Sequence, residues 1–247
     1  MCAFCEIRRE PEGADTAVLL LHGILSAPHF LSFIADAVPA EYAVYGILFA
    51  GHGSTPDALG SVTLDVWRRQ VADRMQMLCR CYRRVLIAAH SMGTLFAVEA
   101  AADYPETVQR MVLLNVPLYP HLTMRCAAVS LGIACGLDVH GVSTRAAAMQ
   151  DAYSISPDPR LWRYLCWLPR YHELFAEMRR VRSMLQSVQT PAAVFQSAHD
   201  ELVSPRSLPL LKAHPRLHTV LLRDSTHFAY AEADRRRILR AVRQMLQ

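Results

Sequence analysis

The sequence predicts an α/β protein in which helices cover both faces of a mainly parallel sheet. Apolar runs of strand length alternate along the chain with segments whose apolar residues recur at helical spacing. The first such run, residues 17–21, is apolar at every position, as a strand buried on both faces requires. The 247 residues, 52% of them hydrophobic, are enough for one large domain with a substantial core.

The predicted elements alternate regularly in the first half of the chain and again near its end. Strand-like runs occupy residues 17–21, 43–49, 84–89, 110–115, 192–196 and 219–222. Helical segments occupy residues 29–38, 62–81, 94–103 and 233–246. Because a helix that follows a strand returns the chain to the starting end of the sheet, this alternation predicts parallel strands.

Residues 117–187 interrupt the alternation. The segment is helical in character and rich in aromatic residues, among them Trp162 and Tyr171. Since it lies between two predicted core strands, we expect it to form a helical cap over the carboxyl edge of the sheet. The predicted division is therefore a core of residues 1–116 and 188–247 and a cap insertion of residues 117–187.

A serine stands at a predicted junction between a strand and a helix. Residues 88–93 read Ala-Ala-His-Ser-Met-Gly and follow the apolar run 85–87. In a nucleophile elbow the turn is so sharp that the serine is strained and its hydroxyl stands above the sheet. Small residues two positions before and after the serine let the strand and the helix pass without a clash. Those residues are Ala89 and Gly93, so Ser91 is the candidate nucleophile.

A serine hydroxyl needs a base to take its proton and an acid to orient that base. Hydrolases with a serine elbow place the acid, and then the histidine, later in the chain. Asp200 follows the predicted strand 192–196, and His227 lies between the last strand and the last helix. We predict Asp200 as the acid and His227 as the base, with Glu201 as the alternative acid. Asp224 is too close to the histidine and is interpreted as a turn residue.

Stabilising a negative carbonyl oxygen requires two backbone N–H donors. One is expected from Met92, the residue after the candidate nucleophile. The other is expected from Ile24, because His22-Gly23 directly follows the first buried strand and glycine lets the backbone turn toward the pocket. The Gly-His-Gly segment at 51–53 follows the next strand and is interpreted as a structural turn.

Together these motifs resemble the α/β-hydrolase superfamily. The matching residues span nearly the whole chain and are His22, Gly23, Gly51, His52, Gly53, Ala89, His90, Ser91, Met92, Gly93, Asp200 and His227. Within the superfamily the chain is similar to small carboxylesterases and monoacylglycerol lipases. The resemblance implies an α/β-hydrolase fold and a Ser-His-Asp hydrolase that forms an acyl-enzyme without a metal or organic cofactor. Ala89 and Ser197 stand where the family often has glycine, and neither change removes a catalytic group.

Three functions remain open from the sequence. The first is hydrolysis of short- to medium-chain carboxylic esters or monoacylglycerols. The second keeps the serine chemistry but changes the bond, as in a thioesterase, an acyltransferase or an aminopeptidase, which needs acidic groups near its pocket. The third is a non-catalytic hydrolase fold that binds a small molecule. A dehalogenase or an epoxide hydrolase is disfavoured, because it requires an aspartate in place of Ser91.

Composition bounds the partners and the location. The net charge of +4 is spread along the chain, so we expect no nucleic-acid partner. No apolar run approaches the roughly 18 residues that span a bilayer, and the N-terminus lacks a secretory signal. We therefore expect a cytoplasmic protein without stable membrane insertion, its seven cysteines reduced, and no zinc site completing the pair Cys2-x-x-Cys5. The expected partner is a small apolar ester, bound by a monomer or homodimer.

Overall fold

The computed structural model describes residues 4–247, and a seven-stranded sheet runs through this range. In spatial order the strands are β1 (Ile7–Arg9), β3 (Ala43–Ile47), β2 (Thr16–Leu21), β4 (Arg84–His90), β5 (Val108–Leu114), β6 (Ala192–Ser197) and β7 (Leu217–Leu222). Neighbouring strands pair in parallel, except that β1 runs antiparallel to β3. The predicted fold class, a mostly parallel sheet flanked by helices, is confirmed.

Helices lie on both faces of the sheet. The α-helices of the described residues are α1 (Ser32–Ala35), α2 (Pro56–Gly60), α3 (Leu64–Cys81), α4 (Met92–Asp103), α5 (Met124–Ala134), α6 (Thr144–Ala152), α7 (Leu168–Met184), α8 (Ser207–Ala213) and α9 (Glu232–Leu246). Leu19 and Leu21 of β2 pack in one apolar cluster with α3, α4 and α7. Val18 and Leu20 pack in a second cluster with α1 and α9. Because both faces are covered, residues 17–21 of β2 are all apolar.

Among the described elements, one predicted helix is shorter than expected, and strand β1 and helices α2 and α8 are not among the predicted elements. The helix predicted at 29–38 is a 3₁₀ turn at Pro28–Leu31 followed by the four-residue helix α1. Its apolar residues do face the core, but prolines at positions 28 and 39 restrict how far a regular helix extends. Strand β1 escapes prediction because its three residues, Ile-Arg-Arg, carry no alternating pattern.

Residues 117–187, the predicted insertion, lie between β5 and β6 and contain α5, α6 and α7. Helices α5 and α6 build a small apolar cluster of their own, which includes Cys126, Ile133, Ala146 and Met149. Partly buried Leu202 and Phe228, next to the predicted acid and base, pack against this cluster. The first part of the insertion is therefore in contact with the loops that carry Asp200 and His227.

Helix α7, at the end of the insertion, packs against α3 and α4. Arg68 of α3 donates to Glu99 of α4 at 3.1 Å and to Glu177 of α7 at 2.8 Å. The buried Glu177 carboxylate also accepts from Arg180 at 2.7 Å. Two guanidinium groups thus compensate the carboxylates that the three helices bury, which a buried acid requires. Ion pairs as well as apolar packing join α7 to the core.

The chain reverses its direction across the sheet between β2 and β4. From β2 it moves outward to β3 on one side, and from β4 it continues to β5 on the other. The loops that follow β2 and β4 therefore diverge and leave a crevice, the usual ligand position in an open α/β sheet. Leu21 of β2 pairs with Ala89 of β4, so His22-Gly23 and His90-Ser91 leave the sheet side by side.

Candidate active site

Ser91 occupies a strained turn between β4 and α4. Its φ of 51° and ψ of −124° lie in a region that residues with side chains rarely adopt. The turn presses α4 against the end of β2, where a Cβ added at Gly93 would lie 2.2 Å from the carbonyl oxygen of Leu21. Ala89, on the strand side, is fully buried in the core, which accommodates its methyl group. The backbone at Ser91 therefore has the geometry of a nucleophile elbow.

The side chains of Ser91, His227 and Asp200 form one hydrogen-bonded chain. His227 Nε2 lies 3.0 Å from Ser91 Oγ, and His227 Nδ1 lies 2.9 and 2.8 Å from the two carboxylate oxygens of Asp200. Because a carboxylate only accepts, Nδ1 carries the proton and Nε2 accepts from the serine hydroxyl. Ser91 is 9% exposed, and the other two side chains are buried. This arrangement can activate a serine hydroxyl.

The loop after β6 fixes the carboxylate of Asp200. Its Oδ1 accepts from the backbone N–H groups of Leu202 at 2.8 Å and Val203 at 2.7 Å. Glu201, the alternative acid, instead accepts from the backbone N–H of His227 at 3.2 Å. It is therefore Asp200 that faces the imidazole, while Glu201 holds the backbone of the histidine loop.

Asn115 and His90 hold the backbone of His227, which lies in the loop between β7 and α9. Asn115 Nδ2 and His90 Nε2 both donate to the carbonyl oxygen of His227, at 3.2 and 3.1 Å. Asn115 follows β5 in a left-handed conformation, with φ of 54°, and its Oδ1 accepts from the N–H of Ser197 at 2.8 Å. It thereby ties the ends of β5 and β6 to the backbone of the predicted base, His227. The sequence prediction missed this role. The feature that could have indicated it is a polar residue directly after an apolar strand.

The imidazole of His22 orients the peptide that carries the predicted oxyanion donor. Its Nε2 accepts from the N–H of Phe49 at 3.2 Å, so Nδ1 carries the proton and donates to the carbonyl oxygen of Gly23 at 2.8 Å. In a trans peptide the Gly23 carbonyl and the Ile24 N–H point in opposite directions. His22 therefore turns the Ile24 N–H away from itself. A Cβ at Gly23 would lie 3.0 Å from Ser91 Cβ, so this loop runs beside the candidate nucleophile.

The two predicted oxyanion donors have no protein acceptor. Met92 is the first residue of α4, so its N–H lacks a partner within the helix. Within residues 4–247, neither this N–H nor that of Ile24 donates to another protein group. Both N–H groups are therefore available to an oxygen of a bound molecule.

Three buried imidazoles near the site, those of His22, His52 and His90, make folding sensitive to acid. Burial lowers the pKa of each below its ordinary value of 6.5, and that of His52 to about 4. Below pH 6.5 the unfolded chain takes up protons that the folded protein still excludes, so the folded state loses stability. We expect the free energy of unfolding to fall by up to about 1.4 kcal/mol per pH unit for each histidine. Urea unfolding at pH 7.5, 6.5 and 5.5 measures this slope.

The variant His52→Gln is the control for this pH dependence. It removes one of the three titrating groups, so its unfolding free energy should decrease less steeply between pH 6.5 and 5.5. A wild-type unfolding free energy that stays constant over the same interval would contradict the interpretation.

Neither a cluster of metal-binding side chains nor a helix able to span a membrane is found within residues 4–247. Residues 4–247 contain no group of three or more His, Cys, Asp or Glu side chains that could hold a metal ion. Cys2 of the Cys2-x-x-Cys5 pair lies outside these residues. Each helix between residues 4 and 247 is too short or too polar to cross a membrane.

Comparisons with known proteins relate this chain to hydrolases. The model of the family described as serine aminopeptidase, S33, matches residues 12–219. A search of curated proteins finds no match. Similar solved structures include a structure from work on the metagenome-derived lipolytic enzymes LipS and LipT, with 22% identity and a TM-score of 0.73 over 98% of this chain and 96% of that one.

Two further solved structures have a similar overall fold. The enol-lactonase from Burkholderia xenovorans LB400 has 17% identity and a TM-score of 0.69, over 98% of this chain and 95% of that one. A monoacylglycerol lipase from Paleococcus ferrophilus has 15% identity and a TM-score of 0.68, over 98% of both chains. At these identities the structures show the fold alone, whereas the family model covers most of the chain, including the serine elbow and Asp200. The chain is therefore a hydrolase of the α/β-hydrolase superfamily and belongs to the serine aminopeptidase S33 family.

Proposed function

We propose that this protein is a serine hydrolase that cleaves carboxylic esters through an acyl-enzyme on Ser91. One observation carries the proposal: Asp200, His227 and Ser91 are linked by hydrogen bonds of 2.8 to 3.0 Å beside two backbone N–H groups without a protein acceptor. A serine, a base and an acid that are hydrogen-bonded in this order form the arrangement that activates a serine for nucleophilic attack.

The proposed reaction has two halves. Ser91 Oγ attacks the ester carbonyl while His227 Nε2 takes its proton, and the carbonyl oxygen becomes an oxyanion held by the N–H groups of Ile24 and Met92. His227 then gives the proton to the departing alcohol oxygen, which leaves an acyl group on Ser91. In the second half His227 takes a proton from a water molecule, whose oxygen attacks the acyl carbon; the bond to Ser91 Oγ breaks, His227 returns the proton to Oγ, and the acid is released. Asp200 holds the imidazole in the required tautomer and stabilises its cation throughout.

The side chains of the insertion favour an ester over an N-terminal peptide as the substrate. The matching family is described as serine aminopeptidase, so cleavage of an N-terminal peptide is the alternative function. Such a substrate carries an ammonium group, which needs an unpaired carboxylate near the pocket. The five acidic side chains of the insertion, however, all have basic partners: Asp138 and Asp151 with His140, Asp158 with Arg160 and Arg163, Glu173 with Arg170, and Glu177 with Arg68 and Arg180. Partly buried apolar residues, including Ile24, Leu25 and Tyr153, pack against the same core cluster as Met92. These features favour a small apolar ester.

The insertion is proposed to act as the cap of this site. Its first part packs beside the loops of Asp200 and His227, as described above. Further along, the N–H of Ser154 donates to the carbonyl oxygen of Leu25, next to the predicted oxyanion donor. The insertion therefore lies where it would limit the size and polarity of the substrate.

Labelling with a fluorophosphonate probe, followed by peptide mapping, tests the proposed chemistry. We expect one adduct at Ser91 in the wild type and no adduct in Ser91→Ala. A panel of p-nitrophenyl esters of increasing acyl length, a monoacylglycerol, an acyl thioester and an aminoacyl p-nitroanilide then tests the bond. Esters are expected to give the highest kcat/KM. Faster cleavage of the anilide would favour an aminopeptidase, and well-folded protein that remains unlabelled would favour the binding function.

A further inference from the structure

Ser154, two residues after the end of α6, contacts the loop that carries the predicted oxyanion donor. Its N–H donates to the carbonyl oxygen of Leu25 at 2.8 Å, and its hydroxyl lies 2.7 Å from the carbonyl oxygen of Ser26 and 3.2 Å from that of Leu25. The hydroxyl oxygen is also 3.4 Å from the N–H of Gly53. Ser154 is only 1% exposed. One side chain of the insertion thus joins two loops of the core.

The segment held by Ser154 is strained. Leu25 has a φ of 62°, in the left-handed region that a leucine adopts only when its surroundings impose it. The carbonyl of Leu25 accepts from Ser154, so this contact opposes relaxation of the strained residue. Ile24, whose N–H is the predicted oxyanion donor, immediately precedes it.

Residues 23–26, which we call the oxyanion loop, are held by hydrogen bonds on both sides of Ile24. On the core side, His22 fixes the Gly23 carbonyl and so the plane of the Gly23–Ile24 peptide. On the opposite side, the carbonyls of Leu25 and Ser26 are fixed by Ser154. The neighbouring segment is attached as well, because the N–H of Ser156 donates to the carbonyl of Ser54 at 2.7 Å.

We propose that Ser154 is a positioning residue of the oxyanion hole, through which the insertion controls the direction of the Ile24 N–H. The inference rests on the proposed function, since an oxyanion hole has meaning only for acyl transfer. A substrate that displaces the segment around Ser154 would also release Leu25 and Ser26. The position of the insertion and the stabilisation of the oxyanion are therefore coupled.

This role affects the transition state more than the bound substrate. A carbonyl oxygen gains most of its negative charge as the serine attacks. A misdirected N–H therefore reduces the stabilisation of the transition state, while the affinity for the uncharged substrate changes little. Ser154→Ala removes the hydroxyl contacts but keeps the backbone contact to Leu25. We therefore expect kcat to fall on the order of tenfold, with KM nearly unchanged; loss of a whole oxyanion donor costs more, about 10²–10³-fold.

The experiment compares Ser154→Ala with Thr190→Val in the full-length protein. Thr190 is a matched control, because its buried hydroxyl also donates to a backbone carbonyl, that of Val108 at 3.2 Å, between β5 and the segment before β6. Active sites are first counted by complete reaction with a fluorophosphonate, so that loss of folded protein does not enter kcat. The readouts are kcat and KM for a p-nitrophenyl ester and the inhibition constant of an alkyl boronic acid, whose adduct with Ser91 places an oxygen in the oxyanion hole.

The expected result is a lower kcat and a correspondingly weaker boronic acid inhibition in Ser154→Ala, with KM within about twofold of the wild type. Thr190→Val should match the wild type in all three quantities. A Ser154→Ala variant whose kcat per active site and boronic acid inhibition equal those of Thr190→Val overturns this inference alone. A wild-type protein that neither reacts with the fluorophosphonate nor turns over the ester overturns the proposed function, and the inference with it.

Discussion

Ser91→Ala is expected to lower kcat for ester hydrolysis by about a millionfold, the loss typical of removing the nucleophile from a serine triad. The hydroxyl oxygen of Ser91 is the atom 3.0 Å from His227 Nε2, and its removal leaves the base without a proton to take. The remaining rate comes from binding and the oxyanion donors, which by themselves accelerate hydrolysis roughly a thousandfold over water. Single-turnover and steady-state kinetics with a p-nitrophenyl ester measure the loss.

His227→Ala provides the companion measurement. Residues of a triad act as one unit, so this variant should lose nearly as much as Ser91→Ala, and the double variant scarcely more. Unfolding by urea should show that each variant keeps its fold. Near wild-type turnover in His227→Ala would remove this histidine from the role of base.

Asp200→Asn is expected to lower kcat by about 10⁴-fold without unfolding the protein. The N–H groups of Leu202 and Val203 both donate to Oδ1 of Asp200, so the amide oxygen of an asparagine would remain with them. Its NH₂ group would then face His227 Nδ1 and force that nitrogen to accept. The proton would move to Nε2, where the imidazole can no longer take the proton of Ser91.

Glu201→Gln is the matched control for the acid. Glu201 accepts from the backbone N–H of His227, and the amide oxygen of glutamine can accept the same bond. We expect kcat to change less than tenfold, since one hydrogen bond to a charged acceptor becomes one to a neutral acceptor. A larger loss in Glu201→Gln than in Asp200→Asn would exchange the roles of the two carboxylates.

The sequence predicts elements well where burial imposes a pattern on the residues. The run 17–21 is apolar because both faces of β2 are covered, and this requirement is visible in the residues themselves. Strand β1 has no such requirement at the sheet edge, and its Ile-Arg-Arg sequence does not distinguish it from a loop. The segment 29–38, in contrast, has a helical pattern but forms a shorter helix than the pattern predicts. Its apolar spacing is correct, but a 3₁₀ turn satisfies that spacing almost as well as a longer helix.

The supporting residues of the site are harder to predict than the residues that face the substrate. Asn115 lies 112 positions from His227, and Ser154 lies 129 positions from Leu25. Their contacts depend on which strands are neighbours and on where the insertion returns to the core. A single polar residue at the end of a strand or helix occurs in many loops and therefore carries little information.

The fold class, the resemblance to α/β-hydrolases and the candidates for nucleophile, acid and base can all be predicted from the residues alone. A strained elbow and a glycine turn each require particular residue types at fixed positions along the chain, so both motifs can be recognised in the sequence. The folded arrangement is needed to place Asp200 rather than Glu201 against the imidazole, and to show that His22 and Ser154 hydrogen-bond to the carbonyls of Gly23 and Ser26 on either side of Ile24. Side-chain direction and contacts between distant segments depend on how the strands and the insertion pack, and no local pattern encodes them.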